Sequence, residues 1–321
     1  MKKILVILPL EENERSRFRE QVNGAPEDYL FSFYPSLNDV PAEEVSAANI
    51  IIGQFSATRA GEAENLEWLH GSMAGIDSFL APGVLPENVL LTNSAGAYGP
   101  AVSEHMVAAT LALVRRFPQY MRNQTARVWK PEGNIICIEG STVAVLGLGD
   151  IGGHYAKKMK ALGAYVIGIR RTDKDKPEYV DEQYTVDRLP EVIGRADIVA
   201  MVLPGSKETE KLMNEDLLYR MKPGSYLVND GRGSAVDLDA LKRGLDDGHI
   251  AGAALDVTDP EPLPADHPLW DYKNVLLTPH VSGGFFLRRT LDNVISIACK
   301  NLRLYTHGGQ MEHIVDRSAG Y

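Results

Sequence analysis

The segment STVAVLGLGDIGGHYAKKMKALGAYVIGIRRT, residues 141–172, restricts the possible folds more than any other part of the chain. An apolar run (TVAVL) gives way to glycines at 147, 149 and 152, then to a helical stretch (HYAKKMKAL), then to a second apolar run (YVIGI). Strand, glycine turn, helix and strand in that order predict a βαβ unit with parallel strands. In G-x-G-x-x-G the first glycine permits a tight turn, the second lets backbone approach a pyrophosphate, and the third lets helix pack close to strand. The helix N-terminus adds amide donors and the positive end of its dipole. Gly147, Gly149 and Gly152 therefore predict a dinucleotide site.

The flanking sequence extends the pattern. ADIVAMVLP, SYLVND, AGAALDV and NVLLTPH have the texture of buried strands, with helical stretches such as NEDLLYRM and LDALKRGLDDG between them. This alternation over 140–280 predicts a parallel, doubly wound sheet. Upstream, KKILVILP, YLFSFYP, NIIIGQ and VLLTNS predict strands, while 11–22 and the region of 62–70 predict helices. After the breakers Gly99 and Pro100, residues 101–120 predict one long helix, apolar nearly all round and so buried between layers or subunits. A last helix from about 286 to 305, beyond Gly283 and Gly284, is expected to return to the N-terminal domain. The expected architecture is α/β, with two Rossmann-like doubly wound domains. A nucleotide-binding domain (100–283) is inserted into a discontinuous, flavodoxin-like substrate domain (1–99 and 284–321), and the Gly99–Pro100 and Gly283–Gly284 breakers are expected to serve as hinges for closure.

Composition narrows the partners. A chain of 321 residues is long enough for two domains. Its net charge of −10 repels nucleic acid and anionic membranes, so neither is an expected partner. The basic start and apolar residues 4–10 imitate a signal peptide, but Pro9 and the acidic Glu11 and Glu12 favour a buried first strand. No run approaches the roughly 20 apolar residues of a membrane helix. The two cysteines, Cys137 and Cys299, are far apart, which suits a reducing, cytoplasmic setting. No His/Cys/carboxylate spacing suggests a metal.

The end of the strand YVIGIRRT discriminates between cofactors. An NAD site places a carboxylate there for the ribose 2′-hydroxyl. Here Arg170 and Arg171 stand in that place with Thr172 beside them, and a guanidinium offers bidentate bonds to a 2′-phosphate. NADPH is the expected cofactor, with NAD admissible. Three later strand ends carry VNDGRGSAVD with Arg232, LDVTDPEPLP with Glu261 and LLTPHVSGG with His280. Reducing a 2-oxo acid requires a held carboxylate, a polarised carbonyl and a proton donor. Arg232, between two glycines, can pair with the carboxylate or the carbonyl. His280 titrates near neutrality and can deliver the proton. Glu261 can accept from its second ring nitrogen, fixing the tautomer and favouring the charged imidazole.

Together with SMAGID, GPAVSEHMVA, VLGLGDIG, the run PGSKETEKLMNEDLLYRMKPGSYLVNDGRGSAVD, LDVTDPEPLPADHPLW and LTPHVSGG, these segments resemble the D-isomer-specific 2-hydroxyacid dehydrogenases across almost the whole chain. The resemblance implies a catalytic set of Arg232, Glu261 and His280, and a substrate carboxylate held by the backbone amides of Ala74 and Gly75. It also implies Asp256 on the nicotinamide carboxamide, Asp150 and Ile151 as amide donors to the pyrophosphate, and Leu203 and Pro204 lining the cofactor cleft. Family members are usually homodimers joined largely through the long helix, a role 101–120 fits. Arg170 departs from the NAD-using members and looks like the glyoxylate/hydroxypyruvate reductases that prefer NADPH. The alternatives are a phosphoglycerate dehydrogenase-like enzyme, disfavoured because no regulatory extension precedes the end at Tyr321, and a non-catalytic dinucleotide-sensing protein on the same fold. Tyr98 is expected in the substrate pocket, either narrowing it toward small acids or stacking on an aromatic one, with Gln54, Phe55 and Met73 near it. His105 is expected to be a buried structural or interdomain residue, and Trp129 and Trp270 to pack in a core or interface.

Overall fold

The computed structural model describes residues 1–22 and 28–317. The chain divides into two compact units, Met1–Tyr98 with Phe285–Tyr321, and Gly99–Gly284. Among the described residues the first carries five parallel strands: β1 (Lys2–Ile7), β2 (Tyr29–Tyr34), β3 (Ile50–Gly53), β4 (Trp68–Gly71) and β5 (Leu90–Thr92), in the order β2-β1-β3-β4-β5. That is the flavodoxin-like order. Because successive side chains leave opposite faces of a strand, one apolar run feeds two cores. Ile4, Val6, Ile50, Ile52 and Trp68 face the last helix, Arg288–Thr306, which contributes Leu291, Val294, Ile295, Ala298 and Leu302. Leu5, Ile7, Ile51, Leu69 and Leu91 fill the other face with Val45, Phe55 and Phe79.

The second unit carries seven parallel strands: β6 (Thr142–Leu146), β7 (Tyr165–Arg170), β8 (Glu182–Thr185), β9 (Ile198–Met201), β10 (Ser225–Asn229), β11 (Ile250–Leu255) and β12 (Val275–Leu277). Their order, β12-β11-β10-β9-β6-β7-β8, is the doubly wound dinucleotide-fold order with a seventh strand added. The strand order reverses between β6 and β9, so the carboxyl ends there open onto a crevice. Helices Gly99–Val114 and Asp150–Ala161 pack together, joined by Thr110 and Tyr155, whose buried hydroxyls lie 2.9 Å apart.

Two expectations are corrected, and one strand is unexpected. Residues 101–120 do not form one helix. The first ends at Val114, Arg116 takes a left-handed φ of 59°, and a second runs Phe117–Thr125. Pro118 explains the break: it has no amide to give Val114, and it fits only in a first turn, where the amide would be unpaired anyway. The region of 62–70 is not helical. A short 3₁₀ segment, Ala57–Glu62, precedes β4, whose four residues are all buried. A run that short has no period to separate helix from strand. Strand β8 (EQYT) has no counterpart in the sequence pattern, because a polar, half-exposed edge strand lacks apolar alternation.

Candidate active site

The glycine turn leaves β6 with Gly147 at φ +95°, its amide donating to Ile169 O at 2.8 Å. A Cβ on Gly152 would sit 1.8 Å from the Gly147 carbonyl oxygen, so only glycine lets helix Asp150–Ala161 start this close to the strand. At Gly149 a Cβ would meet no protein atom within 4 Å. Packing within the protein therefore does not call for glycine there, whereas a group resting against the turn would. Asp150 turns its carboxylate back to accept from the Gly99 amide at 2.8 Å, and Ile151 is half-buried behind it. The residues present fit a pyrophosphate.

Arg170 ends β7 half-buried, its Nη1 3.4 Å from Gln183 Oε1 on β8, while Arg171 and Thr172 are exposed. Glu208 lies close enough to feel Arg171. Its carboxyl is held below the usual range first by the Ser206 hydroxyl, and Arg171 and Lys207 add to this. Leu203 and Pro204, half-buried, follow β9; a Cβ on Gly231 would meet Leu203 N at 2.6 Å, so β10's turn packs directly on this backbone.

Arg232, Glu261 and His280 stand in the loops after β10, β11 and β12, three adjacent strands of one sheet. Asn229 shapes the first loop, accepting from Gly231 N and donating to Arg232 O. Gly233 is pressed against Thr258, whose carbonyl carbon would lie 2.0 Å from an added Cβ. The Arg232 Nη1 group donates to Gly231 O at 2.9 Å. His280 takes φ +51°, and its amide donates to Asp256 O at 2.8 Å. Its Nδ1 lies 2.6 Å from Glu261 Oε1, with both side chains about half exposed. A carboxylate only accepts, so Nδ1 carries the hydrogen and Nε2 is the atom left to exchange a proton.

Tertiary structure also assembles a group that no sequence spacing announces. His105, Asp230 and Asp256 place ligand-type atoms within 4.8 Å of one another. Asp256 is buried and accepts from Thr278 Oγ1 and the amides of Val281 and Ser282, so it anchors the turn that carries His280. Burial raises its carboxyl, but the Ser282 and Thr278 hydroxyls and those two amides outweigh burial and hold it below the usual range. Asp230 has only the Ser282 hydroxyl for such support. Burial, then the charge of Asp256, push it up to about 8 against the pull of Ser282, and its Oδ2 has no hydrogen-bond partner among the described residues. The one signal in the sequence is an acidic residue directly beyond a buried strand, in VNDGRG. His105, expected to be buried, keeps a quarter of its side chain exposed, with Nε2 3.2 Å from Thr278 Oγ1.

In the other unit, Ala74 and Gly75 are half-buried in the loop after β4, and the Tyr98 hydroxyl donates to Ser72 O at 2.6 Å. Phe55 is a correction: it is 3% exposed and stacks on Phe79 within the core rather than lining a pocket. Trp129 is fully exposed and Trp270 half so, which places neither in a core.

The family model described as "D-isomer specific 2-hydroxyacid dehydrogenase, NAD binding domain" matches residues 107–282. A glyoxylate reductase from Thermofilum pendens is 31% identical over 84% of this chain and 80% of its own length. The glyoxylate reductase/hydroxypyruvate reductase of Homo sapiens is 30% identical over 77% of this chain and 76% of its own. A D-isomer specific 2-hydroxyacid dehydrogenase from Xanthobacter autotrophicus, crystallised in complex with NADPH and MES, superposes with a TM-score of 0.81 at 27% identity, covering 100% of this chain and 99% of that one.

Proposed function

Because the chain belongs to the D-isomer specific 2-hydroxyacid dehydrogenase family, we propose that it reduces a small 2-oxo acid such as glyoxylate or hydroxypyruvate, with NADPH as the preferred donor and NADH as a second. The observation that carries the chemistry is the 2.6 Å contact between His280 Nδ1 and Glu261, on loops next to that of Arg232. The dinucleotide, when bound, supplies the hydride. His280 delivers a proton from Nε2 to the carbonyl oxygen as it becomes an alkoxide, and Glu261 holds the ring and stabilises the imidazolium. Arg232 pairs with the substrate's carboxylate or carbonyl oxygen. Read backward, neutral His280 is the base for alcohol oxidation.

In this reading the unit Gly99–Gly284 binds the dinucleotide. The amides of Asp150 and Ile151 serve the pyrophosphate, Leu203 and Pro204 line the cleft, Asp256 serves the carboxamide, and Arg170, Arg171 and Thr172 meet the 2′-phosphate. The amides of Ala74 and Gly75 receive the substrate carboxylate. Two relatives named for glyoxylate reduction, one solved relative holding NADPH and the guanidinium of Arg170 in place of a carboxylate support it. A homodimer is part of the proposal, supported by exposed Phe117, Met121 and Trp129 on and just beyond helix Phe117–Thr125. So is a cytoplasmic setting; no helix among the described residues is long and apolar enough to cross a membrane.

The test is NADPH and NADH consumption with glyoxylate, hydroxypyruvate, pyruvate and phenylpyruvate, for wild type and His280→Ala. Turnover favouring NADPH is expected, falling in the variant by about 10²- to 10⁴-fold while NADPH binding persists. Binding of NADPH by the wild type with no turnover of any acid would replace this reading with a dinucleotide sensor.

A further inference from the structure

Four successive carbonyls, from the last residue of β4 into the loop that follows it, are each captured by the segment after β5. Gly71 O accepts from Ser94 Oγ at 3.0 Å, and Ser72 O from Tyr98 Oη at 2.6 Å. Met73 O accepts from the Ser94 amide at 3.1 Å, and Ala74 O from Asn93 Nδ2 at 2.8 Å. In a planar trans peptide the carbonyl of one residue and the amide of the next point in opposite directions. Holding Met73 O and Ala74 O therefore turns the amides of Ala74 and Gly75 the other way. Among the described residues these two amides donate to no backbone carbonyl, whereas the Ser72 amide is already engaged with Gly53 O at 3.0 Å.

The hydrogen-bond directions behind this clamp are determined by chemistry. Trp68 Nε1 can only donate, and it reaches Thr92 Oγ1 at 2.8 Å. At the other end Gly71 O can only accept, so Ser94 Oγ donates to it and accepts from His70 Nε2 at 3.2 Å, and Nδ1 of the neutral ring then accepts from Thr92 Oγ1, 2.8 Å away. An accepting Nδ1 belongs to a neutral His70. Complete burial ensures this, lowering its pKa to about 3, with His313 contributing.

We propose that Asn93, Ser94 and Tyr98 are positioning residues for carboxylate recognition: by capturing Met73 O and Ala74 O, Ser94 and Asn93 aim the amides of Ala74 and Gly75 at the anionic end of the substrate, while Ser94 and Tyr98, on Gly71 O and Ser72 O, hold the two peptides that lead into them. This rests on the proposed function, in which those amides receive the carboxylate. It gives Tyr98 a role other than walling the pocket. The same clamp predicts selectivity for acids over aldehydes of equal size, since two preoriented amides gain most from a full negative charge.

The experiment compares glyoxylate with glyoxal, which replaces the carboxylate by an uncharged aldehyde, for wild type, Tyr98→Phe and Asn93→Ser. Tyr98→Phe keeps the ring and removes one bond; serine at 93 is too short to reach Ala74 O. Each variant is expected to raise the KM for glyoxylate by about fivefold or more, the scale of one lost hydrogen bond. The kcat/KM for glyoxal and the KM for NADPH should stay within about twofold. A glyoxylate KM that does not move, or equal losses with both substrates, overturns the proposal while leaving the proposed function intact. A wild type that does not prefer glyoxylate over glyoxal overturns the carboxylate reading itself, and the clamp with it, before any variant is made. If Asn93→Ser does not fold, Tyr98→Phe alone separates the same outcomes.

Discussion

Replacing Asp230 with asparagine should stabilise the protein, and the gain should grow with pH. Burial and the neighbouring charge of Asp256 push Asp230 up to about 8 from an ordinary value of 3.8. The folded state thus keeps a proton that the unfolded chain releases above pH 4. Such a group's stabilisation is complete below about pH 4 and is lost as pH rises toward 8, after which the loss is constant. By pH 7 about 3 pH units of that window have been crossed, which at 1.36 kcal/mol per unit is a penalty of about 4 kcal/mol. This is an upper bound, because the pocket relaxes around the charge. Asparagine does not titrate, keeps an acceptor for Ser282, and offers an amide to Asp256 where Oδ2 now lies unpartnered. The expected gain is about 1 kcal/mol at pH 5 and about 2–4 kcal/mol at pH 7. Urea unfolding at pH 5, 7 and 9 reads it, with amide exchange of Leu227 and Val228 in β10 assigning the transition to the second unit. An equal difference at pH 5 and pH 9, or a loss of stability at pH 9, would refute the argument.

Arg170→Asp should lower the ratio of kcat/KM for NADPH over NADH by about 10- to 100-fold, since a charge-assisted bond to the 2′-phosphate becomes a repulsion. A ratio that stays put removes Arg170 from the cofactor site. Gly152→Ala puts a methyl 1.8 Å from Gly147 O, so the turn must open. Stability should fall by about 1–3 kcal/mol, and NADPH affinity, measured by fluorescence titration, should fall with it. Unchanged affinity would mean the turn does not hold the phosphates.

Much of the candidate site was legible in the sequence because its parts are local. The glycine turn, the arginines at 170 and 171, and the three strand-end loops are each short motifs whose backbone demands specific residues, and buried parallel strands stand out as apolar runs. The sequence alone therefore determined the doubly wound fold, the family resemblance and the pairing of His280 with Glu261. Only the tertiary structure decided what depends on distance through space. Pro118 splits a pattern that reads as one helix. Trp68, in a run too short to show a period, becomes part of a buried inner strand. Asp230, His105 and Asp256, separated by up to 151 positions, meet only because β10, β11 and helix Gly99–Val114 come together. Asn93, Ser94 and Tyr98 act on residues 71–74 because β4 and β5 are neighbours. A residue's partners across a sheet are set by strand order and register, and a hydrogen-bond clamp leaves no period or spacing in the chain from which to read it.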